Sequence, residues 1–153
     1  MDMPLTGSCQ CGSVTYEITG APLALYTCHC TDCQKQSASA FGLSLRVRTE
    51  DFVITGGQLS EFAQMADSGR QKIGAFCADC GCRIYHAPAA GGPMRIIKAG
   101  TLDDTSWFNP VAHMWVRSRQ PWVAIPTDRL VYETQPDDFA PVFAAWQARQ
   151  RQG

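Results

Sequence analysis

The chain has 153 residues, of which 45% are hydrophobic and 18% are charged, and its formal net charge is −1. This composition is typical of a globular chain with a buried core, and it excludes an intrinsically disordered protein. The near-neutral charge argues against a general nucleic-acid-binding protein, which usually carries a basic excess. We therefore expect a single domain over residues 1–153 that has no nucleic-acid partner.

Membrane insertion and secretion are also disfavoured. No apolar run approaches the ~20 residues that a membrane-spanning helix needs. The first residues, Met1-Asp2-Met3-Pro4, lack the basic and apolar segments of a signal peptide. A cysteine-rich chain without a secretion signal more often binds metal than forms disulfides. We therefore expect a cytoplasmic protein with no membrane partner.

Short strands dominate the predicted secondary structure. Runs with period-two alternation or β-branched residues predict strands, in chain order, at 13–18, 41–47, 52–54, 61–65, 72–76, 83–86, 95–98 and 111–116. Turn residues such as Gly56-Gly57 and Gly91-Gly92-Pro93 separate several of these runs. The pattern predicts a mainly β fold.

Two helical segments are predicted beside the strands. A short helical turn at 31–37 follows the second cysteine cluster. A longer helix at 137–150 begins with Asp137 and Asp138, which can cap it. Its apolar residues recur at helical spacing and predict a stripe that packs on the sheet: Phe139, Val142, Phe143 and Trp146.

Four of the eight cysteines form two close pairs, Cys9 with Cys11 and Cys77 with Cys80. In a strand, residues two apart point to the same face, so Cys9 and Cys11 are expected to reach one metal together. Cys77-x-x-Cys80 followed by Gly81 predicts a turn that brings two thiolates together. We call these four cysteines the closed group, and they predict a structural zinc that ties the chain start to its middle.

Cys28, Cys30 and Cys33 predict a second zinc site, and we call them the open group. Cys28 and Cys30 are expected to share a strand face, and Cys33 to return on the following turn. Three ligands leave a position on the zinc for substrate, and a thiolate-rich site favours a soft thiol over activated water. A second purely structural zinc and a Cys30–Cys33 redox pair are the alternatives.

Two further residues bear on the fourth position of this second zinc. Cys82 would complete a second four-thiolate site if it were a ligand, and it is otherwise a spare thiol. The side chain of His29 should point to the face opposite to Cys28 and Cys30, so a contact outside the metal ligands is expected for it.

A substrate thiolate adds negative charge at the open group, so the mechanism needs a nearby cation. Lys35 and Lys98 are the candidates, and Arg46 is a weaker one. Trp115 is a candidate for lining the substrate cleft, although a core aromatic is the commoner role. His113 is expected to be a structural histidine.

With these clusters in place, the chain resembles the glutathione-dependent formaldehyde-activating enzyme family, which includes centromere protein V. The resemblance extends over about 7–122 and leaves the helix at about 137–150 outside it. The matching segments are Gly7-Ser8-Cys9-Gln10-Cys11-Gly12-Ser13-Val14, Cys28-His29-Cys30-Thr31-Asp32-Cys33-Gln34-Lys35, Phe76-Cys77-Ala78-Asp79-Cys80-Gly81, Ala99-Gly100-Thr101-Leu102-Asp103-Asp104 and His113-Met114-Trp115-Val116-Arg117-Ser118-Arg119-Gln120-Pro121-Trp122.

The resemblance implies coiled, mostly antiparallel β-sheets of the β-tent type and two zinc ions, one structural and one catalytic. It also implies a carbon–sulfur lyase that takes glutathione as co-substrate and a small carbonyl, formaldehyde, to S-hydroxymethylglutathione. A homo-oligomer is compatible with the sequence. The alternatives are a non-enzymatic zinc scaffold and a thiol-redox or metal-buffering protein.

Overall fold

The structure is a computed structural model that describes residues 2–66 and 69–151. It confirms a mainly β fold with one short helix and one C-terminal helix. The strands in the described residues are β1 (Leu5–Ser8), β2 (Thr15–Ile18), β3 (Ala24–Cys28), β4 (Gly42–Arg48), β5 (Phe52–Gly56), β6 (Leu59–Met65), β7 (Gln71–Cys77), β8 (Arg83–Pro88), β9 (Met94–Lys98), β10 (Ala112–Met114) and β11 (Leu130–Tyr132). The helices are α1 (Thr31–Ser37) and α2 (Ala140–Gln150).

The chain divides into two compact units. The first unit contains Met1–Pro22 and Arg46–Trp107, and the second contains Leu23–Leu45 and Phe108–Gly153. The closed group therefore lies wholly in the first unit and the open group wholly in the second. Each cysteine group can be understood from the elements of its own unit.

The first unit is built from antiparallel strands. β2 lies between β1 and β5, and β6 to β9 pair in chain order. Aromatic rings form part of its core: Phe52 lies 5.2 Å from Tyr16 and 5.4 Å from Tyr85, measured between ring centroids. The guanidinium of Arg95 lies 4.4 Å from the centroid of the Tyr85 ring, so its charge is held against the ring face.

Strand β1 lay outside the predicted strands. Its four residues include Gly7, which interrupts the apolar alternation. A side chain at this position would place its Cβ 2.3 Å from Cζ of Tyr16. Glycine is therefore needed where β1 passes over the Tyr16 ring, and this close approach of the backbone hides the strand from its sequence pattern.

Two strand pairings in the second unit are parallel, within a fold that was expected to be mostly antiparallel. β10 pairs in parallel with both β3 and β11, and its register places Met114 opposite Cys28. All five residues of β3 are buried. Strands buried on both faces read as continuous apolar runs, which explains why β3 shows no clear alternation.

The strand predicted at 111–116 ends early. β10 stops at Met114 because Trp115 has a φ of 59°, in the left-handed region that a strand cannot continue through. The prediction of a helical turn at 31–37, by contrast, is confirmed by the bounds of α1.

Helix α2 begins three positions later than predicted, at Ala140 rather than at 137. Pro141 fits the first turn, where its missing N–H would have no partner in the helix. The Asp138 carboxylate still accepts a hydrogen bond from the Ala140 amide at 2.8 Å. Of the predicted stripe, Val142 and Trp146 are fully buried.

Within the residues that the structure describes, no helix combines the length and the apolar character that crossing a membrane requires.

Replacing Trp146 by Ala is expected to lower the free energy of unfolding by about 3–5 kcal/mol, because a buried indole leaves a cavity that the surroundings fill only in part. Gln147→Ala, on the exposed side of the same helix, is the matched control and should change stability little. Urea unfolding at fixed zinc content measures both. Equal stability of the two variants would contradict the packing of α2 described above.

Candidate metal centres

The four sulfur atoms of the closed group all lie within 4.8 Å of one another. The distance is 3.5 Å between Sγ of Cys9 and Cys11, and 3.8 Å between Sγ of Cys11 and Cys77. Tetrahedral zinc with Zn–S bonds of about 2.3 Å separates its sulfurs by roughly 3.8 Å. The spacing of the thiols therefore fits a zinc ion.

Cys9 and Cys11 lie in a turn after β1, so the strand predicted to carry them is wrong. The Gly12 amide donates a hydrogen bond to the Cys9 carbonyl at 3.0 Å, and Gly12 has a φ of 79°. Glycine adopts this left-handed conformation without steric cost. The tight turn brings both sulfurs to one side, which is the result that strand alternation was expected to give.

Cys77 and Cys80 lie in the turn that their spacing predicted. Cys77 ends β7, and the Gly81 amide donates to its carbonyl at 2.9 Å. Gly81 has a φ of 73°, as the glycine at this position was expected to allow. The Cys77 amide closes the turn with a 3.0 Å hydrogen bond to the carbonyl of Cys82.

Hydrogen bonds reach two of the sulfurs of the closed group, those of Cys9 and Cys11. The Val14 amide donates to Sγ of Cys9 at 3.2 Å. The Ser13 hydroxyl lies 3.3 Å from Sγ of Cys11, and this contact is the main cause that lowers the pKa of Cys11 to about 6. Thiolate is the form of cysteine that binds a metal, so these hydrogen bonds favour ligation at Cys9 and Cys11.

The open group is assembled from a strand end and a helix start. Cys28 is the last residue of β3, Cys30 is the N-cap of α1, and Cys33 lies in the first turn of that helix. The strand expected to hold both Cys28 and Cys30 therefore ends at Cys28. The three Sγ atoms nevertheless lie within 4.8 Å of one another.

Crowding governs the charge of the open group. Hydrogen bonds from the Cys28 thiol to the sulfurs of Cys30 and Cys33, together with burial, raise the pKa of Cys28 well above its ordinary value. Three thiols this close cannot all ionise unless a positive charge compensates them. The Cys33 amide donates to Sγ of Cys30 at 3.3 Å, which stabilises one thiolate. The donor set is thus one that a soft cation such as zinc would complete.

A buried histidine pair lies behind the open group. Nε2 of His29 and Nδ1 of His113 are 2.9 Å apart, and the two rings are stacked. Burial, then the charges of His113 and Arg119, lower the pKa of His29 to about 4. Burial also lowers the pKa of His113. Both lowered pKa values favour neutral rings near pH 7. His113 is buried and paired with His29, and its structural role stays a prediction.

Hydrogen bonds hold the backbone of His29 on both sides. Its carbonyl accepts from Nε2 of Gln34 at 2.7 Å and from the hydroxyl of Ser118 at 2.9 Å, and its amide donates to the Met114 carbonyl at 2.9 Å. The contacts of Gln34 and Ser118 were not predicted from the sequence. Ser118 lies 89 positions from His29, and no spacing signal connects them.

The remaining predicted residues are divided between the two units. Lys35 is exposed on α1, and Trp115 is half-buried with the Arg117 guanidinium 4.8 Å from its ring centroid. Lys98 and Arg46 belong to the first unit. Cys82 lies outside both cysteine groups. Its role as a fourth ligand stays a prediction.

The chain matches one protein family, and its fold is similar to that of a solved structure. A family model described as glutathione-dependent formaldehyde-activating enzyme matches residues 4–118, which include both cysteine groups. A crystal structure of a Rhodobacter sphaeroides protein is similar, with a TM-score of 0.51 and 20% identity over 69% of this chain and 91% of that chain. This likeness concerns the fold alone. No curated protein matches the chain.

Replacing His113 by Leu is expected to lower the free energy of unfolding by about 1–3 kcal/mol, because Nε2 of His29 stays buried without its partner. The double variant His29→Phe/His113→Leu removes both polar partners and should be more stable than His113→Leu alone. Urea unfolding at pH 7 compares them. The pairing would be contradicted if the losses in unfolding free energy caused by His29→Phe and His113→Leu alone summed to the loss in the double variant.

Proposed function

Because the chain belongs to the glutathione-dependent formaldehyde-activating enzyme family, we propose that it is a zinc-dependent carbon–sulfur lyase acting on a small thiol and a small carbonyl compound. Glutathione and formaldehyde are the first pair to test. One observation carries the proposal: the open group offers three converging thiols, and among the described residues no fourth cysteine, histidine or carboxylate joins them. A three-ligand zinc site keeps a position for substrate.

The two cysteine groups have different roles in this proposal. Cys9, Cys11, Cys77 and Cys80 would hold a structural zinc with all four positions filled by protein. Cys28, Cys30 and Cys33 would hold a second zinc, whose positive charge would favour the thiolate form of a substrate thiol. The family match and the geometry of both thiol groups support two zinc ions per chain.

The proposed reaction forms one carbon–sulfur bond. The thiolate sulfur of the substrate attacks the carbonyl carbon, the electron pair of the carbonyl bond moves to oxygen, and this oxygen takes up a proton. The thiol has released one proton, so the proton count balances. The reverse reaction breaks the carbon–sulfur bond and is the lyase direction. The chain's part is to hold the thiolate in place, with its attack geometry fixed.

Lys35 is proposed to supply the cation that an anionic thiol needs. It lines a groove of about 400 Å³ in the second unit, together with Gln34, Gln120, Trp122 and residues 38–40. The indole of Trp122 is 75% exposed, which makes it an available apolar surface. A lysine and an exposed indole that line the same groove suit a ligand with a carboxylate and an apolar portion.

Lys98 and Trp115 stay secondary proposals for substrate binding. Trp115 directly follows β10, whose last residue lies opposite Cys28, and this position supports a role near the open group. A cytoplasmic location is also proposed, because seven cysteines converge as thiols in two groups that could bind metal, and a reducing compartment keeps thiols available for metal.

Cys30→Ser is expected to reduce the zinc content from two ions to one and to abolish adduct formation above the uncatalysed rate. Cys82→Ser, a matched control outside both cysteine groups, should retain two zinc ions per chain. Elemental mass spectrometry gives zinc per chain, and carbon-13 NMR with labelled formaldehyde follows the adduct. A protein-free reaction sets the background. Unchanged zinc content and turnover in Cys30→Ser would overturn the proposed mechanism, whereas two zinc ions without turnover in the wild type would favour a zinc scaffold.

Cys80→Ser is expected to remove the structural zinc and to unfold the first unit, because zinc bound by four thiolates contributes on the order of 10 kcal/mol to folding. Circular dichroism and limited proteolysis measure this loss. Since the open group lies in the other unit, Cys30→Ser is the comparison and should keep its secondary structure. A folded Cys80→Ser protein without that zinc would contradict the structural role.

A further inference from the structure

We propose that Gln34 is the positioning residue of the open group: its side-chain amide fixes the backbone that links Cys28 to Cys30. This inference rests on the proposed function, since it concerns the site that would hold the second zinc. No carbon–sulfur chemistry is assigned to Gln34 itself. Its effect is exerted through the His29 carbonyl, to which it donates a hydrogen bond of 2.7 Å.

The hydrogen-bonding capacity of the Gln34 amide is used on both sides. Its NH₂ group donates to the carbonyl of His29 at 2.7 Å and to the carbonyl of Ser118 at 2.9 Å. Its oxygen accepts from Nε2 of Gln120 at 2.9 Å. An amide rotated by 180° would turn its oxygen toward two carbonyl oxygens, so this arrangement admits one orientation.

Gln34 joins the two pieces of chain that carry the open group. It belongs to α1, directly after Cys33, and its backbone amide donates to the Cys30 carbonyl at 3.0 Å. Its side chain reaches back to His29, which stands between Cys28 and Cys30. The helix that holds Cys33 is thereby fastened to the strand end that holds Cys28.

A second donor acts on the same carbonyl. The hydroxyl of Ser118 donates to the carbonyl of His29 at 2.9 Å. Ser118 also receives the other Gln34 hydrogen bond on its own carbonyl, so His29, Gln34 and Ser118 form a closed triangle of hydrogen bonds. Because the members of such a network restrain one another, loss of one donor weakens the hold of the rest.

Restraint of this kind determines how well three thiolates fit one metal. Ligands that must adjust when the metal binds lose affinity, and groups that orient ligands typically contribute 10-fold to 100-fold in metal affinity. Gln34→Met keeps the length of the side chain and removes both donors. We therefore expect it to raise the dissociation constant of the second zinc by roughly 10-fold to 100-fold.

Competition with a chromogenic zinc chelator measures this constant, and Cys30→Ser identifies which of the two zinc ions belongs to the open group. Gln120→Met is the matched control, because it removes the partner of the Gln34 oxygen and leaves both donors in place. It should change the dissociation constant less than about 3-fold, since the bond to the His29 carbonyl persists. The zinc of the closed group should be unchanged in both variants.

The absorption spectrum of bound Co²⁺ reports ligand geometry and does not change when the fold is merely less stable. Co²⁺ bound at the open group has absorption bands that depend on the geometry of its ligands, and Gln34→Met should shift them while the bands of the closed group persist. Ser118→Ala removes one donor to the same carbonyl and serves if Gln34→Met fails to fold. Ser118→Ala should raise the dissociation constant of the second zinc less than Gln34→Met does, and where both variants fold their effects should be non-additive.

The outcomes separate this inference from the function on which it rests. An unchanged second-zinc constant and unchanged cobalt bands in Gln34→Met would overturn the inference alone. Two zinc ions in the wild type without adduct formation would overturn the proposed function and leave the role of Gln34 in metal binding supported. A wild-type protein that binds zinc at the closed group only would overturn both.

Discussion

Crowded sulfur is the constraint on which the rest of this structure depends. Seven of the eight cysteines converge in two groups whose sulfur atoms lie within 4.8 Å of one another. Thiolates at that distance repel, and burial of an unpaired charge is costly. All thiols of one group could ionise together only with a cation among them, so the backbone around both groups holds sulfur in a geometry that could bind a metal ion.

The two groups meet this constraint with different backbone. In the closed group, glycines with positive φ form tight turns after β1 and β7, and the chain's own amides donate to sulfur. In the open group, a parallel strand end meets the first turn of a helix, and the polar contacts of His29 fix the junction. The first arrangement offers four protein ligands to a metal ion, whereas the second offers three.

Two features of the cysteine groups could be predicted from the sequence because their signals lie within a few residues. The Cys77-x-x-Cys80 turn with its glycine and the helical turn at 31–37 follow from spacing and residue type alone. The strand at Cys9 and Cys11 was wrong, yet the convergence of their sulfurs was right, because a tight turn and a strand both bring side chains two apart to one side. Helix α2 was predicted to begin at 137, where Asp137 and Asp138 can cap it. It begins instead at Ala140, so that Pro141 lies in its first turn.

Cysteine spacing and turn glycines thus predicted the close cysteine pairs and the cysteine triplet, and strand-like runs predicted the mainly β fold, because each of these signals lies within a short stretch of the chain. Tertiary structure decided what lies around the ligands. The pairing of His29 with His113 and the contacts of Gln34 with Ser118 join segments 84 positions apart. Such contacts leave no periodicity in the sequence, since any residue with a suitable donor or acceptor would satisfy them once the strands have brought the segments together.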